Sequence, residues 1–373
     1  MDPNVNSGMN RSLPQRGIPQ QQRKVYKFSG KPRKPKKDNH TVRKIVFRVF
    51  LSIISFILIL AIGLLTASYL CCKGPSPDAR DTFVRTFYKM SAMKWLPRMF
   101  FSQQEIDLIV NNEIESTNDV TDVSMVSISK EDIEKALQND SEWADAEDGI
   151  LIKEEYGDNY RAYVMLIRDP SRVFVGTSSN FKTGAPGLRI FDAMAKEGAV
   201  AAINAGGFPD PNGVGDGRYP EGLTISKGEL LWGGTSYFYN GVIGFTNDNI
   251  LVVGNMTGKE ALDRGVRDCV CFGPILIVNG EAMSVSGGSL NPRTAIGQRA
   301  DGTVIFLCAD GRMASSLGAS YADLISIMLK YGAVNAANLD GGSSTHMYYK
   351  GEPINVSSSL YGPRRMPTFF MVR

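Results

Sequence analysis

The sequence predicts an α+β fold, a strand-rich mixed-sheet domain with few helices, preceded by a single transmembrane helix and a helical stalk. From about residue 148, short apolar or alternating runs such as YRAYVMLIRD, AVAAINAGGF and TVIFLCADG are separated by Gly, Asn and Asp, which is typical of strands joined by turns. The segment SYADLISIMLKYG instead has helical spacing, with Ser320 and Asp323 placed as a capping box. The third observation is an uncharged apolar run at residues 49 to 70.

The first 72 residues predict a membrane anchor. Residues 1 to 44 are rich in Lys, Arg, Pro and Gln and are expected to be a disordered, basic cytoplasmic segment. Residues 45 to 72 contain the apolar run and are interpreted as a transmembrane signal anchor. A cleaved signal peptide is the alternative, but the basic segment is long and no A-x-A site follows. The positive-inside rule then places the rest of the chain outside the cytoplasm in a cell membrane, and a basic segment beside a span predicts no nucleic-acid partner.

Residues 73 to 147 are expected to be an extracytoplasmic stalk and linker. Phe83, Phe87, Leu96 and Ile106 recur with helical spacing, broken at Pro97, and the polar, acidic stretch that follows resembles a linker. Residues 148 to 373 form the expected catalytic domain. The chain has five cysteines: two lie at the membrane edge and three on apolar strands, so neither a disulfide framework nor a zinc site is predicted.

Two acids follow predicted strands on either side of the one clear helix. Asp310 ends TVIFLCAD and Asp340 ends AVNAANLD. A strand, helix, strand unit normally joins parallel strands by a right-handed crossover, so both carboxylates are expected at one edge of the sheet, where ligands tend to bind. The alternative is that each Asp-Gly pair only marks a turn.

Several common site types do not fit the sequence. The chain has only His40 and His346, and His346 is too close in sequence to Ser344 for a serine triad. GGSST lacks the lysine of a phosphate loop, although its backbone could bind an anion. Residues 208 to 222 weakly resemble a calcium loop, with Val214 at a ligand position, and are interpreted as a turn-rich loop. No cofactor is expected to be required, while a divalent cation held by the acids is compatible with the sequence.

Two arginines lie near the two acids in sequence. Arg293 follows a proline in NPRTAIG, and Arg312 follows Asp310 by two residues. Guanidinium groups bind phosphate in a bidentate manner, and paired acids serve glycosidic chemistry. Structural Arg to Asp ion pairs are the alternative interpretation.

These motifs, in order, resemble the phosphodiester glycosidase family over roughly residues 160 to 373. The resemblance is carried by AAINAGGF, PEGLTI, NPRTAIG, ADGR, NLDGGSST and GPRRMPTFFMV, with Ser343 where the family form NLDGGGS has a third glycine. It implies a hydrolase that cleaves a sugar-phosphate bond. The span, stalk and linker resemble bacterial, exopolysaccharide-related members, which implies a phosphate-linked glycan of the cell envelope as substrate.

The resemblance and the residue chemistry together predict the site. Asp340 and Asp310 are expected as nucleophile and acid/base, in either order, with Glu221 as the third acid. The expected substrate-binding residues are Asn204, Arg293, Thr294, Arg312, Asn338, Gly341, Gly342, Ser343, Ser344 and Thr345. A non-catalytic polysaccharide-binding or assembly protein that uses the same pocket is the alternative function.

Overall fold

A computed structural model describes residues 39–89, 93–111, 119–211, 215–285, 289–359 and 362–373. The chain divides into two compact units, residues 1–62 and 63–373. The division falls within the long helix α1 (Asn39–Lys73), whose segment Arg43–Lys73 is long and apolar enough to cross a membrane. The predicted disorder of residues 1 to 44 lies outside the described residues for positions 1 to 38, and it is wrong for positions 39 to 44, which form the start of α1.

The second unit is built mainly from strands. In chain order they are β1 (Ile150–Tyr156), β2 (Arg161–Ile167), β3 (Val173–Thr177), β4 (Ala201–Asn204), β5 (Thr224–Ser226), β6 (Glu229–Trp232), β7 (Phe238–Thr246), β8 (Leu251–Thr257), β9 (Val266–Cys271), β10 (Ile275–Val278), β11 (Glu281–Ala282), β12 (Arg293–Arg299), β13 (Val304–Ala309), β14 (Ala333–Leu339), β15 (Met347–Tyr349), β16 (Glu352–Pro353) and β17 (Thr368–Val372). The strands form three sheets: β1-β2-β13-β12-β14-β10-β11, β16-β15-β4-β17-β3 and β6-β5-β9-β7-β8. Together with the helices, they confirm the α+β class.

The first sheet separates the two predicted acids by one strand. β12 pairs antiparallel with both β13 and β14, so that Thr294 lies opposite Cys308 on one side and Leu339 on the other. β13 and β14 therefore run parallel to each other, as expected for the predicted crossover, and Asp310 and Asp340 lie at the same sheet edge. Two strand spacings, about 10 Å, separate the strands that carry them.

All three sheets contribute to one apolar core. Met165, Ile203, Phe245, Phe306 and Phe370 belong to the same buried cluster and come from strands of all three sheets. The ends of β14 and β4 meet beside this core, where the Asp340 N–H donates to the Ala205 carbonyl. That junction contains most of the predicted site residues.

The helices of the second unit lie around the sheets. They are α2 (Pro77–Lys89), α3 (Trp95–Arg98), α4 (Gln103–Asn111), α5 (Lys130–Asn139), α6 (Ile190–Glu197), α7 (Gly258–Asp263) and α8 (Tyr321–Lys330). The prediction of α8 is confirmed: Ser320 and Asp323 form a capping box, and Leu324, Ile327 and Met328 are buried against the first sheet. These signals are local in sequence, so α8 could be recognised without knowledge of the sheets.

The predicted stalk forms a small helical cluster. Cys72, Phe83, Leu96 and Ile106 share a buried apolar cluster formed by the end of α1 and by α2, α3 and α4. Pro97 does not break a long helix. It lies within the first turn of the short α3. Backbone N–H groups in a first turn have no helical acceptor, so proline costs no hydrogen bond there.

The stretch interpreted as an acidic linker packs on the strands. Thr121 is buried and bonds to Val253 through its backbone N–H, while Trp143 and Ile133 are also buried. Trp143 joins the cluster that contains α8. This stretch was expected to be a linker that holds the domain away from a membrane. Its scattered apolar residues instead pack against the first and third sheets.

Candidate functional site

Asp340 lies where the first and second sheets meet. Its backbone N–H donates to the Ala205 carbonyl at 3.0 Å, and Asn204 Nδ2 donates to the Asp340 carbonyl at 2.5 Å. Asn204 Oδ1 accepts from Thr294 Oγ1 at 2.8 Å and from the His346 N–H at 3.1 Å. The buried amide of Asn204 therefore joins the ends of three strands and fixes the position of Asp340.

The Asp340 carboxyl is held in a partly desolvated position. Burial raises its pKa to about 6, against the effects of hydrogen bonds from Ser344 and from the Gly341 N–H. The Gly341 N–H donates to Asp340 Oδ1 at 2.9 Å. Among the charged groups, Arg364 lowers this pKa and Asp210 raises it. A carboxyl with this pKa can accept or deliver a proton near neutral pH.

An ion pair that the sequence analysis missed lies beside Asp340. Arg364 donates to both carboxylate oxygens of Asp210, each at 2.7 Å, and its Nη1 lies 3.4 Å from Ser343 Oγ. Burial alone would raise the pKa of Asp210, but the hydrogen bonds from Arg364 and from Gly215 outweigh it and lower that pKa. In the sequence the only trace of this pair is an acid in PDPNG and the arginines in GPRRMP. These segments are far apart in sequence, so the pairing could not be predicted.

The turn after Asp340 needs glycine at two positions. A Cβ on Gly341 would lie 2.8 Å from the Pro292 carbonyl oxygen, and the Gly342 N–H donates to the same oxygen at 2.8 Å. Gly342 has a φ of 63°, which disfavours other residues. Its missing side chain leaves room for Arg312, because a Cβ there would lie 3.2 Å from Arg312 Nη2.

The two predicted arginines have different surroundings. Arg312 is exposed, and the hydrogen bond described for its guanidinium runs to Asn291 Oδ1 at 3.3 Å. Arg293 is buried, with its guanidinium 4.0 Å from the Tyr321 ring centroid and with bonds to the Ser289 and Ala319 carbonyls. Arg312 is therefore placed to meet a ligand beside Gly342, whereas the described contacts of Arg293 hold the start of α8 on the sheet.

Asp310 faces a neighbouring loop. It is 1% exposed, and its Oδ1 accepts from the Val356 N–H at 2.9 Å and from Asn355 Nδ2 at 3.3 Å. Burial raises the pKa of Asp310 against these two hydrogen bonds. The contacts are those of a residue that holds residues 355 and 356 beside the site.

Glu221 is exposed, and the described contacts connect it to Asp340 only through Gly207 and Ala205. Its backbone N–H donates to the Gly207 carbonyl at 2.8 Å, and a Cβ on Gly207 would lie 3.1 Å from Glu221 Oε2. Gly207 is two residues after Ala205, the partner of Asp340. Glu221 therefore borders the site from the side of the third sheet.

Three further polar residues at the junction are buried. Asn338 Nδ2 donates to the Gly273 carbonyl at 2.7 Å, and His346 Nδ1 lies 3.0 Å from the Ser344 carbonyl. Asn338 Oδ1, Thr345 Oγ1 and His346 Nε2 have no hydrogen-bond partner among the described residues. Burial lowers the pKa of His346, which favours its neutral form. The predicted residues Ser343, Ser344 and Thr345 lie in the turn that follows Asp340.

The two aspartates of the turn-rich loop are paired with arginines. Asp210 bonds to Arg364, and Asp216 bonds to Arg218 at 2.8 Å. Within the described ranges, no group of three or more His, Cys, Asp or Glu is placed to hold a metal ion. A cavity of about 960 Å³ opens at the opposite ends of the strands, lined by residues such as Leu137, Arg172 and Arg373, and none of the predicted site residues line it.

Comparison with known proteins shows which family the C-terminal part of the chain resembles. Residues 197–373 match the family model described as phosphodiester glycosidase. The SPbeta prophage-derived uncharacterized protein YomE of Bacillus subtilis (strain 168) is 31% identical over 198 residues, covering 50% of this chain and 29% of that protein. The chain thus spans less than a third of the length of this relative.

A solved structure shows the same fold. The catalytic domain of zebrafish N-acetylglucosamine-1-phosphodiester alpha-N-acetylglucosaminidase, auto-inhibited by its pro-peptide, superposes with a TM-score of 0.51 at 20% identity, covering 60% of this chain and 82% of that one. The match of residues 197–373 to the phosphodiester glycosidase model agrees with the resemblance carried by the sequence motifs.

Proposed function

We propose that the protein is a hydrolase that cleaves the bond between the anomeric carbon of a sugar and a phosphate. The observation that carries the proposal is Asp340, a carboxyl with a pKa of about 6 at the start of a turn whose Gly342 lies beside Arg312. The family of residues 197–373 supports the same class of reaction.

Asp340 is the proposed base or nucleophile. Its pKa leaves much of the carboxyl ionised at neutral pH, as attack at the anomeric carbon requires. Arg312 and the backbone of the turn then stabilise the leaving phosphate, which needs less protonation than an alcohol because it leaves as a stable anion. Water adds to the sugar, and the phosphate departs as a monoester. Asp310 is proposed to support the site by holding residues 355 and 356.

The setting of the reaction is also a proposal. The apolar helix that contains residues 49–70 supports a single-pass anchor, and the basic N-terminal segment supports a cytoplasmic N-terminus. The catalytic domain would then face outward and meet phosphate-linked glycans of the cell envelope or exopolysaccharide.

A turnover assay tests this proposal. The detergent-solubilised full chain is incubated with a panel of glycosyl phosphodiesters, and sugar release is compared with that of Asp340→Asn and of Asp145→Asn, an exposed acid outside the site. We expect release by the wild type and Asp145→Asn, and a loss of at least about a hundredfold in Asp340→Asn, typical of a removed acid/base group. The same assay with a chelator measures any dependence on a divalent cation. Wild-type turnover by Asp340→Asn would exclude Asp340 from the reaction.

One observation favours the alternative, a polysaccharide-binding or assembly protein with the same pocket. Two further acids, Asp210 and Asp310, are engaged elsewhere, Asp210 with Arg364 and Asp310 with residues 355 and 356. Saturable binding of the phosphodiesters without any sugar release would support that function.

A further inference from the structure

The helical cluster formed by the end of α1 and by α2, α3 and α4 contains a cleft, here called the juxtamembrane cleft. Its volume is about 250 Å³, and the residues that line it include Arg80, Phe101, Glu105 and Leu108. The amino group of Lys73, the last residue of α1, lies 4.6 Å from the centroid of the Phe101 ring. The cleft is therefore located where α1 ends.

The end of α1 lies close to the end of the apolar run. The uncharged run ends at Leu70, and its residues 63–70 belong to the same compact unit as the strands. With a helical rise of about 1.5 Å per residue, Lys73 lies about 4–5 Å beyond Leu70 along the axis of α1. The headgroup layer on each side of a bilayer is about 5–8 Å thick. A span that uses residues 49–70 therefore places Lys73 in the headgroup layer, with the cleft beside it.

Leu108 is an apolar side chain of the cleft that faces outward. It is 67% exposed, whereas Ile106 and Ile109 on the same helix are buried in the cluster. A single exposed leucine on a soluble domain needs no explanation. Beside the end of an apolar span, however, such a side chain is at the depth where it can be buried in lipid.

The polar groups of the cleft suit a phospholipid headgroup. The two acids are engaged within the cluster, since Glu105 accepts from the Ser102 N–H at 2.8 Å and Asp81 accepts from Arg80 Nε at 2.7 Å. The Arg80 side chain is still 40% exposed. Lys73 and Arg80 thus present an ammonium and a guanidinium at the level of the lipid phosphates, which both groups can bind.

The helical cluster also lies beside the candidate site. Lys94, the N-cap residue of α3, follows the cluster member Met93, and its charge lowers the pKa of Asp210. Asp210 belongs to the turn-rich loop and bonds to Arg364. A contact between the cluster and a membrane would therefore hold this loop near the bilayer surface.

We propose that the juxtamembrane cleft binds phospholipid at the surface of the bilayer that α1 enters, with Leu108 at the boundary between headgroups and acyl chains. The catalytic domain then has a second contact with the membrane besides its anchor, and it lies against the bilayer instead of standing away from it on a stalk. The inference rests on the proposed membrane anchor, and it is independent of the proposed cleavage of a sugar-phosphate bond.

Quenching of tryptophan fluorescence by brominated lipid tests the inference. The full chain is reconstituted into phosphatidylcholine vesicles with or without bromine atoms near the headgroup end of the acyl chains. Leu108→Trp places a reporter in the cleft. Leu329→Trp is the matched control, because Leu329 is also a leucine on a helix and is 44% exposed. The emission of the unsubstituted chain, which has three tryptophans, is subtracted.

Brominated lipid is expected to remove at least about half of the emission added by Leu108→Trp, and little of that added by Leu329→Trp, because only a side chain at the acyl boundary meets bromine. Should Leu108→Trp fail to fold, Gln104→Trp decides in the same way, since Gln104 is exposed one helical turn earlier on the same face of α4.

Equal quenching in Leu108→Trp and Leu329→Trp, or no quenching in a folded Leu108→Trp, would overturn the inference. A chain that does not float with the vesicles would overturn the membrane anchor and this inference with it. Failure of the proposed reaction is distinguishable, because it abolishes sugar release and leaves the quenching unchanged.

Discussion

Arg364 and Asp210 form a two-point ion pair beside Asp340, and their charges have opposite effects on it. The two terminal nitrogens of Arg364, Nη1 and Nη2, each lie 2.7 Å from a carboxylate oxygen of Asp210. Arg364 lowers the pKa of Asp340, while Asp210 raises it. The pair therefore adjusts the pKa of Asp340, whose main shift comes from burial.

Substitution of Arg364 and substitution of Asp210 are expected to shift the pH profile of kcat/KM in opposite directions. Arg364→Gln removes the charge that lowers the pKa of Asp340, so the acid limb of kcat/KM moves to higher pH. Asp210→Asn removes the charge that raises this pKa, and the limb moves to lower pH. Profiles of both variants on one glycosyl phosphodiester measure the shifts. Two shifts in the same direction would contradict this electrostatic role.

Asp340 is expected to lower the stability of the folded protein at neutral and alkaline pH. Burial raises its pKa from 3.8 to about 6, so the folded state binds the proton more tightly than the unfolded state. Below pH 3.8 both states are protonated and there is no penalty. The penalty grows as the pH rises towards 6 and is complete above it.

Asp340→Asn removes this penalty, and the variant is therefore expected to be more stable than the wild type at pH 8 and nearly equal at pH 3.5. The upper limit is about 3 kcal/mol, equivalent to two pKa units. Tm measured against pH for Asp340→Asn and for the exposed control Asp145→Asn tests it. A gain that is independent of pH would point to a cause other than the Asp340 proton.

Asp310→Asn is expected to keep turnover within a few-fold of the wild type. Asparagine retains an oxygen that can accept from the Val356 N–H and from Asn355. Asp310→Ala removes the acceptor of the Val356 N–H, although Asn355 Nδ2 keeps the Thr345 carbonyl, and the loss should cost about 1–3 kcal/mol of unfolding free energy. Turnover and chemical denaturation of both variants separate the two roles. Loss of turnover in a folded Asp310→Asn would restore Asp310 to the reaction.

The sequence predicted the features whose signals are local. The capping residues and apolar stripe of α8 lie within one segment, and Asp340 directly follows its strand. The insertion of β12 between β13 and β14 depends on pairing between distant segments, as does the Asp210 to Arg364 pair, which spans 154 residues. Composition also failed for residues 119 to 147, because a few buried side chains outweigh an acidic average.

The packing of that segment predicts a larger folding unit than residues 148 to 373. Trp143 is 3% exposed, and Thr121 bonds to the third sheet. A fragment that begins at residue 119 is expected to unfold at a higher temperature than one that begins at residue 148. Trp143→Ala in the longer fragment should cost about 3–5 kcal/mol, typical of a buried Trp. Equal Tm values for the two fragments would show that the segment adds no stability.

Gly342 and Arg312 are expected to act together at the phosphate. Arg312→Ala removes the guanidinium beside Gly342 and should lower kcat/KM by about 10²-fold or more, as for the loss of one charge-stabilising donor. Gly342→Ala should also lower it, because the new Cβ would lie 3.2 Å from Arg312 Nη2 and displace the side chain. Gly351→Ala is the matched control, since Gly351 also has a positive φ of 85° but no described atom within 4 Å of a Cβ.

Both glycine variants should lose some stability, because alanine is strained at positive φ. Only Gly342→Ala should also lose activity. Adding Gly342→Ala to the Arg312→Ala variant should cause only a small further loss of activity. An equal loss of activity in Gly351→Ala would trace the effect to backbone strain. Full additivity in the double variant would show that Gly342 acts on the substrate independently of Arg312.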